Sequence, residues 1–172
     1  MTTTLSQRLR DLVRLLDDMH ALHGELLSAV QDKIGAMRRA DREGVATVIE
    51  REQALIERVQ ERESCRRMLM DAIGRELGMS PAAARKMNAA ALAERLDRPS
   101  GARLLTAARS LREAASELAK VNRVAGRMSR EIVAHLQRVF ESIREVGAEP
   151  IGYAPTGTRT SSLEQRLVDA VG

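Results

Sequence analysis

Three side chains that could bind a metal lie close together near the start of the chain. Asp17, His20 and His23 recur at three-residue spacing, so a single helix would place them near one face. A metal site in a helical bundle needs further carboxylates and histidines that converge from other helices. The only other histidine is His135, and no Glu-x-x-His sequence accompanies it. We therefore predict no metal site and interpret His23 as a polar residue tolerated in an apolar face.

Cys65 is the single cysteine, so it cannot form a disulfide within the chain, which favours a reducing compartment. As a nucleophile it would need an electropositive, partly exposed setting. Arg62, Arg66 and Arg67 supply nearby charge, but no histidine is placed in sequence to activate the thiol. The motifs of phosphate-binding loops, dinucleotide folds and serine hydrolases do not occur in the sequence. We therefore predict a protein that is not an enzyme and needs no cofactor.

Basic and acidic residues interleave along the chain, which predicts solvated helix faces rather than a basic stripe. The totals are 28 basic and 24 acidic residues, for a formal net charge of +4. Proteins that bind single-stranded nucleic acid stack the bases on aromatic side chains, and this chain has one Phe, one Tyr and no Trp. We expect no nucleic-acid partner.

The distribution of apolar residues argues against membrane insertion. No apolar run approaches the length of a membrane span, and the polar residues 1–4 do not begin a signal peptide. We therefore expect a cytoplasmic protein.

The apolar residues follow a helical period through most of the chain. They recur at alternating steps of four and three over Leu5–Met37, Val45–Leu77 and Leu104–Val146. Polar residues such as Lys33 and Glu52 interrupt these seams. Strong helix formers dominate the composition, and β-branched residues do not alternate as they would in strands. The predicted fold is all-α, an elongated antiparallel bundle of three long helices.

Local signals predict where the helices begin and end. Asp41 is a candidate helix cap, Gly78 stands where a C-terminal glycine cap belongs, and Ser80 followed by proline is a helix-start signal. Asn88 could cap a second short helix in the same region. We predict that residues 78–101 form a short Ala-rich helical connector across one end of the bundle.

A Gly/Pro segment separates the last long helix from a short amphipathic piece. Glycine or proline stands at positions 147, 150, 152, 155 and 157, and apolar residues then recur at Leu163, Leu167, Val168 and Val171. A helix this short is marginal in water, so we predict a bundle over residues 1–147 and a flexible tail over residues 148–172. Tyr153, the sole tyrosine, is a candidate anchor for a partner.

Taken together, these features resemble the FlgN family of flagellar export chaperones. The resemblance rests on the heptad helix Leu5–Met37, the charged second helix around Arg51–Arg67, and the long third helix through Asn122. It also rests on the tyrosine-then-glycine segment Pro150–Gly157 and on the amphipathic sequence that follows.

The resemblance implies a cytoplasmic chaperone that binds hook-associated junction proteins before their export through the flagellar type III apparatus. It also implies docking on the export gate through Tyr153. We expect the apolar tail and the end of the third helix to contact the exported protein. The predicted contact residues are Leu163, Leu167, Val168 and Val171 in the tail, and Ile132, Leu136, Val139 and Ile143 in the helix.

Other functions stay open at this point. A structural coiled-coil protein could oligomerise through the same heptad seams, and light scattering would then show a stable oligomer without a client. A helical binder of metal or small molecules would purify with stoichiometric metal. An adaptor of another secretion system would not differ from a flagellar chaperone in these sequence features. The seams also allow a weak homodimer.

Overall fold

The computed structural model describes residues 3–148, and all regular secondary structure within them is helical. The elements are α1 (Thr3–Arg38), α2 (Arg42–Glu76), α3 (Pro81–Lys86), α4 (Ala89–Ala93) and α5 (Arg98–Ala148). The all-α prediction is confirmed, and the three long helices α1, α2 and α5 pack together as a bundle. The tail that we predicted over residues 148–172 lies outside the described residues from position 149 onward.

Helices α1 and α2 form an antiparallel hairpin. Inter-helix ion pairs mark its direction, since Arg8 near the start of α1 pairs with Glu76 at the end of α2, at 2.7 Å. The turn between the helices is closed by Asp41, whose side chain accepts a hydrogen bond from the backbone N–H of Gly44 at 2.8 Å. This is the N-terminal cap that the sequence predicted.

Helix α5 runs parallel to α1 and antiparallel to α2. Near its start, Leu104 packs in a buried cluster with Leu9, and further along Ala125 packs with Ile34. Between these points Leu118 contacts the cluster around Leu26. Three apolar clusters thus follow one another along α1, as expected when heptad seams face each other.

The connector covers one end of the bundle, as predicted. Met87 and Leu92 are buried in the cluster that contains the first turns of α1. Ser80 caps α3 by accepting from the N–H of Ala83 at 3.3 Å, and Asn88 caps α4 by accepting from the N–H of Ala91 at 2.8 Å. Each cap supplies an acceptor for an N–H group that the helix itself leaves unpaired.

Two other connector positions define the neighbouring helix ends. Gly78 adopts φ of +68°, the left-handed conformation that favours glycine after a helix. At the other end, Asp97 accepts from the N–H of Ser100 at 3.1 Å, so α5 begins at Arg98, slightly earlier than the sequence suggested. The hydrogen bond from the Ser100 backbone also lowers the pKa of the Asp97 carboxyl.

One buried ion pair joins the seams of α1 and α2. Lys33 Nζ donates to Glu52 Oε2 at 2.5 Å, and the side chains of this pair are only 17% and 12% exposed. The two polar interruptions that the sequence showed in separate heptad seams therefore meet each other. The second oxygen of Glu52, Oε1, is buried without a hydrogen-bond partner among the described residues.

Gly74 determines how closely α3 can approach α2. A Cβ atom at this position would lie 2.4 Å from the Cβ atom of Ala84, which is shorter than the non-bonded contacts that Cβ atoms make in proteins. We expect Gly74→Ala to lower the free energy of unfolding by about 1–3 kcal/mol, because the two elements must separate to admit the methyl group. Chemical denaturation followed by circular dichroism measures this change.

Gly24→Ala is the matched control for that substitution. Gly24 also lies inside a long helix, but a Cβ atom added there would have no neighbouring atom within 4 Å. Because alanine favours helix more than glycine does, we expect this variant to gain up to about 1 kcal/mol. Equal effects of the two substitutions would contradict the close approach of α3 to Gly74.

By compactness the chain divides into two units, Met1–Glu131 and Ile132–Gly172. The first unit holds the apolar clusters and the connector. The described part of the second unit, residues 132–148, is helical throughout. The boundary that we placed at residue 147 stays a prediction.

Candidate partner-binding face on the last helix

An apolar face on α5 is exposed to solvent between residues 132 and 143. Ile132, Leu136, Val139 and Ile143 recur at steps of four, three and four, so they line one side of the helix. Their exposed fractions are 38%, 48%, 39% and 61%. The structure thus brings together on one surface the four helix residues that the sequence named as partner contacts.

Two further residues widen this face and were missed at the sequence level. Val133 is 54% exposed and Phe140, the only phenylalanine, is 63% exposed. At about 100° per residue, all six side chains fall within an arc of about 120°. We call this set the α5 apolar face. The signal that could have revealed Phe140 was its position one residue after the seam residue Val139.

The α5 apolar face differs from the preceding part of the same seam. Leu104 is 1% exposed and Ala125 is 2% exposed, because α1 and the connector cover that part of α5. Monomeric proteins rarely expose a contiguous apolar surface of this kind unless it binds something. The apolar residues in the first part of α5 therefore pack in the core, whereas those of the α5 apolar face are exposed.

The opposite side of the same helical segment is polar. His135, Arg138 and Glu141 are exposed there. Ser142 donates a hydrogen bond to the carbonyl of Arg138 at 3.0 Å, which satisfies the hydroxyl within the helix itself. The segment is thus amphipathic.

The predicted contact residues of the tail are not placed by the structure. Tyr153, Leu163, Leu167, Val168 and Val171 lie outside the described residues. Their roles stay predictions.

The histidines and aspartate that could have bound a metal do not converge on other ligands. His23 donates from Nδ1 to the carbonyl oxygen of Met19 at 2.7 Å, so this ring nitrogen has its partner within α1. Asp17 and His20 are exposed, and His20 borders an open groove with Glu113 and Glu117 of α5. Within residues 3–148, no group of three His, Cys, Asp or Glu side chains has the geometry of a metal site.

Cys65 lies half-buried beside an ion pair rather than beside a base. Arg66 donates through Nε and Nη2 to the two carboxylate oxygens of Glu63, at 2.7 Å each. The hydrogen bond from Arg66 lowers the pKa of the Glu63 carboxyl, and the same bond raises the pKa of Arg66. The guanidinium is therefore held by a carboxylate rather than directed at the thiol.

Comparison with protein families decides what kind of molecule carries this face. The model of the FlgN protein family matches residues 1–161, which is nearly the whole chain. The chain belongs to the FlgN family. FlgN proteins are chaperones of flagellar assembly and type III protein export, so the resemblance seen in the sequence is confirmed. Searches of curated proteins and of solved structures returned no significant match.

Membership of the FlgN family makes this chain a flagellar export chaperone in the general sense. Such chaperones bind export substrates, a task for which an exposed apolar helix face is suited. In the part of the chain that the structure describes, no helix has both the length and the apolar character needed to cross a membrane.

Proposed function

We propose that this FlgN-family protein binds hook-associated junction proteins in the cytoplasm, keeps them unassembled and delivers them to the flagellar export gate. We refer to the exported protein as the client. The chaperone acts in this scheme by binding alone, without a chemical reaction. The single observation that supports the proposal most strongly is the α5 apolar face.

The α5 apolar face has the form of one half of a helix-to-helix contact. Its residues repeat at the spacing by which an amphipathic helix anchors in a partner, namely i, i+4, i+7 and i+11. A client segment that assembles through its own apolar helix could cover this face and would be covered in return. Mutual coverage would keep the client from polymerising until it is released.

Burial of the α5 apolar face would supply part of the binding free energy of a client complex. Burying six half-exposed apolar side chains is worth roughly 1 kcal/mol each before the cost of ordering the partners. Association itself costs about 4–15 kcal/mol, so this face alone supports at most weak, reversible binding, and we expect the tail to add affinity.

Binding of purified junction proteins tests the proposal. The 172-residue chain should form a stoichiometric complex with a hook-associated protein of the same cell, measured by calorimetry, and should delay that protein's self-assembly, measured by light scattering. A flagellar protein that is not a junction protein should not bind. If no junction protein binds, the client assignment is wrong, although membership of the family would stand.

The tail is expected to add to client affinity. A chain that ends at Gly147 lacks the four aliphatic contact residues of the tail, Leu163, Leu167, Val168 and Val171. We expect it to bind the client at least about tenfold more weakly, since burying four such side chains is worth several kcal/mol before ordering costs. Calorimetry on the two chains measures the difference. Full affinity of the shortened chain would show that the tail contributes nothing.

Tyr153 is expected to act on the export gate and not on the client. We expect Tyr153→Ala to weaken binding to the purified cytoplasmic domain of the gate by about tenfold, because an exposed tyrosine is a typical anchor residue. Client affinity should stay within about twofold of the parent chain. Tyr153→Phe keeps the ring and serves as the control. Equal loss of both activities in Tyr153→Ala would contradict the separation of roles.

A further inference from the structure

The net positive charge of the protein is concentrated on one stretch of α5. Residues 98–131 contain eight basic and three acidic residues, which leaves 20 basic and 21 acidic residues for the rest of the chain. The linear sequence suggested interleaved charges without a stripe. On the helix, however, most of these basic residues lie on the same side.

Six basic side chains form a row along the outer side of α5. At about 100° per residue, they occupy an arc of about 80°, on the side of the helix away from the buried residues Leu104 and Ala125. All six side chains are exposed, and the row is about 30 Å long at about 1.5 Å per residue. We call it the basic ridge; it consists of Arg109, Arg112, Lys120, Arg123, Arg127 and Arg130.

Most cations of the basic ridge have no counterion among the described residues. Lys120 pairs with Glu117 at 3.1 Å, but none of the five arginines lies within 4.0 Å of a described carboxylate. On the α1–α2 hairpin, by contrast, Arg8, Arg51 and Arg58 each pair with a carboxylate of the other helix. Among the described residues, the ridge arginines therefore make none of the cross-helix ion pairs that join α1 to α2.

We infer that the basic ridge is a docking surface for an acidic α-helix of a partner protein. Its cations recur at steps of three, eight, three, four and three residues, close to the period at which a partner helix presents side chains on one face. Arginine pairs with carboxylates through two parallel hydrogen bonds, which fixes the geometry as well as the charge. A row of glutamates at matching spacing can therefore pair along the whole ridge.

The width of the basic ridge favours a narrow partner. Glu113, Glu117 and Glu131 border the ridge along one edge, about 60–100° from its centre. A lipid surface or a nucleic-acid duplex presents negative charge over a broad area and would approach these carboxylates as well. The phosphate backbone of a duplex also winds away from a straight row. A single acidic helix contacts the ridge and avoids the bordering carboxylates.

A designed acidic peptide tests this inference. The probe is a labelled synthetic helix with glutamates at i, i+4, i+7, i+11 and onward, and its binding to the 172-residue chain is followed by fluorescence anisotropy. We expect binding at about 50 mM salt that weakens by at least about tenfold at about 300 mM salt, because exposed charge pairs are screened. Absence of binding at low salt would overturn the inference.

Charge reversal on the ridge supplies the variant and its matched control. Arg123→Glu with Arg127→Glu lies in the ridge, whereas Arg14→Glu with Arg103→Glu changes the same net charge at exposed positions outside it. We expect the ridge variant to bind the peptide about tenfold more weakly and the control to change by less than about threefold. Circular dichroism should show equal helicity for both variants.

Two comparisons identify the partner class. A peptide with lysine in place of glutamate should bind the ridge variant better than the control variant of the same net charge, which pairing at the ridge explains and net charge does not. A DNA duplex should bind the parent chain more weakly than the acidic peptide does. Equal weakening by the two double variants would overturn the inference in favour of net charge, and tighter ridge-dependent binding of the duplex would overturn it in favour of nucleic acid.

Discussion

Aspartates in place of both Leu136 and Phe140 are expected to weaken client binding by about 100-fold or more. Both residues lie on the α5 apolar face and are 48% and 63% exposed. Loss of two central apolar contacts, together with two carboxylates that must lose water at the interface, corresponds to about 3 kcal/mol of binding free energy. Calorimetric titration with a purified junction protein measures this loss.

The same double substitution should leave the fold intact. An exposed side chain contributes little to the folded state, so the expected cost is mainly the lower helix propensity of aspartate, about 0.5 kcal/mol at each position. Ala134→Asp with Ser142→Asp is the matched control, since both positions are exposed on the same helical segment and away from the apolar face. If the control lost as much affinity, general charge repulsion would explain the effect and the α5 apolar face would not be the client surface.

Loss of Lys33 is expected to have the largest effect on stability. In Lys33→Met the carboxylate of Glu52 stays buried without its counterion, and its Oε1 atom already has no described partner. Breaking a buried pair from one side typically costs about 3–5 kcal/mol, because a charge is left uncompensated in the interior. Chemical denaturation measures the change in the free energy of unfolding.

Removing both partners separates the cost of the lone charge from the value of the pair. The variant Lys33→Met with Glu52→Leu should recover to within about 1 kcal/mol of the parent chain or exceed it, since apolar side chains of similar size can fill a buried pair's place. Arg51→Met is the control, because Arg51 and Asp32 join the same two helices with side chains 50% and 54% exposed. We expect it to cost less than about 1 kcal/mol. A similar small cost for Lys33→Met would mean that the pair is solvated rather than buried.

The buried pair also has a consequence for the register of α1 against α2. A shift of one helical turn would bury Lys33 and Glu52 against apolar residues of the opposite seam instead of each other. Polar residues in a heptad seam select one alignment in this way, at a cost in stability. We therefore expect the variant Lys33→Met with Glu52→Leu to be stable but to populate more than one alignment of α1 against α2. Exchange-broadened NMR signals of the α1–α2 hairpin would reveal this.

The sequence by itself determined the helices and many of their ends. Heptad spacing predicted three long helices, and the residue types at Asp41, Ser80 and Asn88 predicted the caps that the structure shows. These features are local, because a cap depends on a side chain and an N–H group three residues away. Family membership was also visible in the sequence, since the FlgN pattern extends over residues 1–161.

Only the tertiary structure decided which parts of each face are covered. Periodicity placed Leu104 and Leu136 in one seam, yet the first is 1% exposed and the second 48%. Likewise, Lys33 and Glu52 were interruptions in two separate seams until the hairpin placed them in contact. The physical reason is that helical spacing fixes which residues share a side, whereas burial and ion pairing depend on where the neighbouring helices lie.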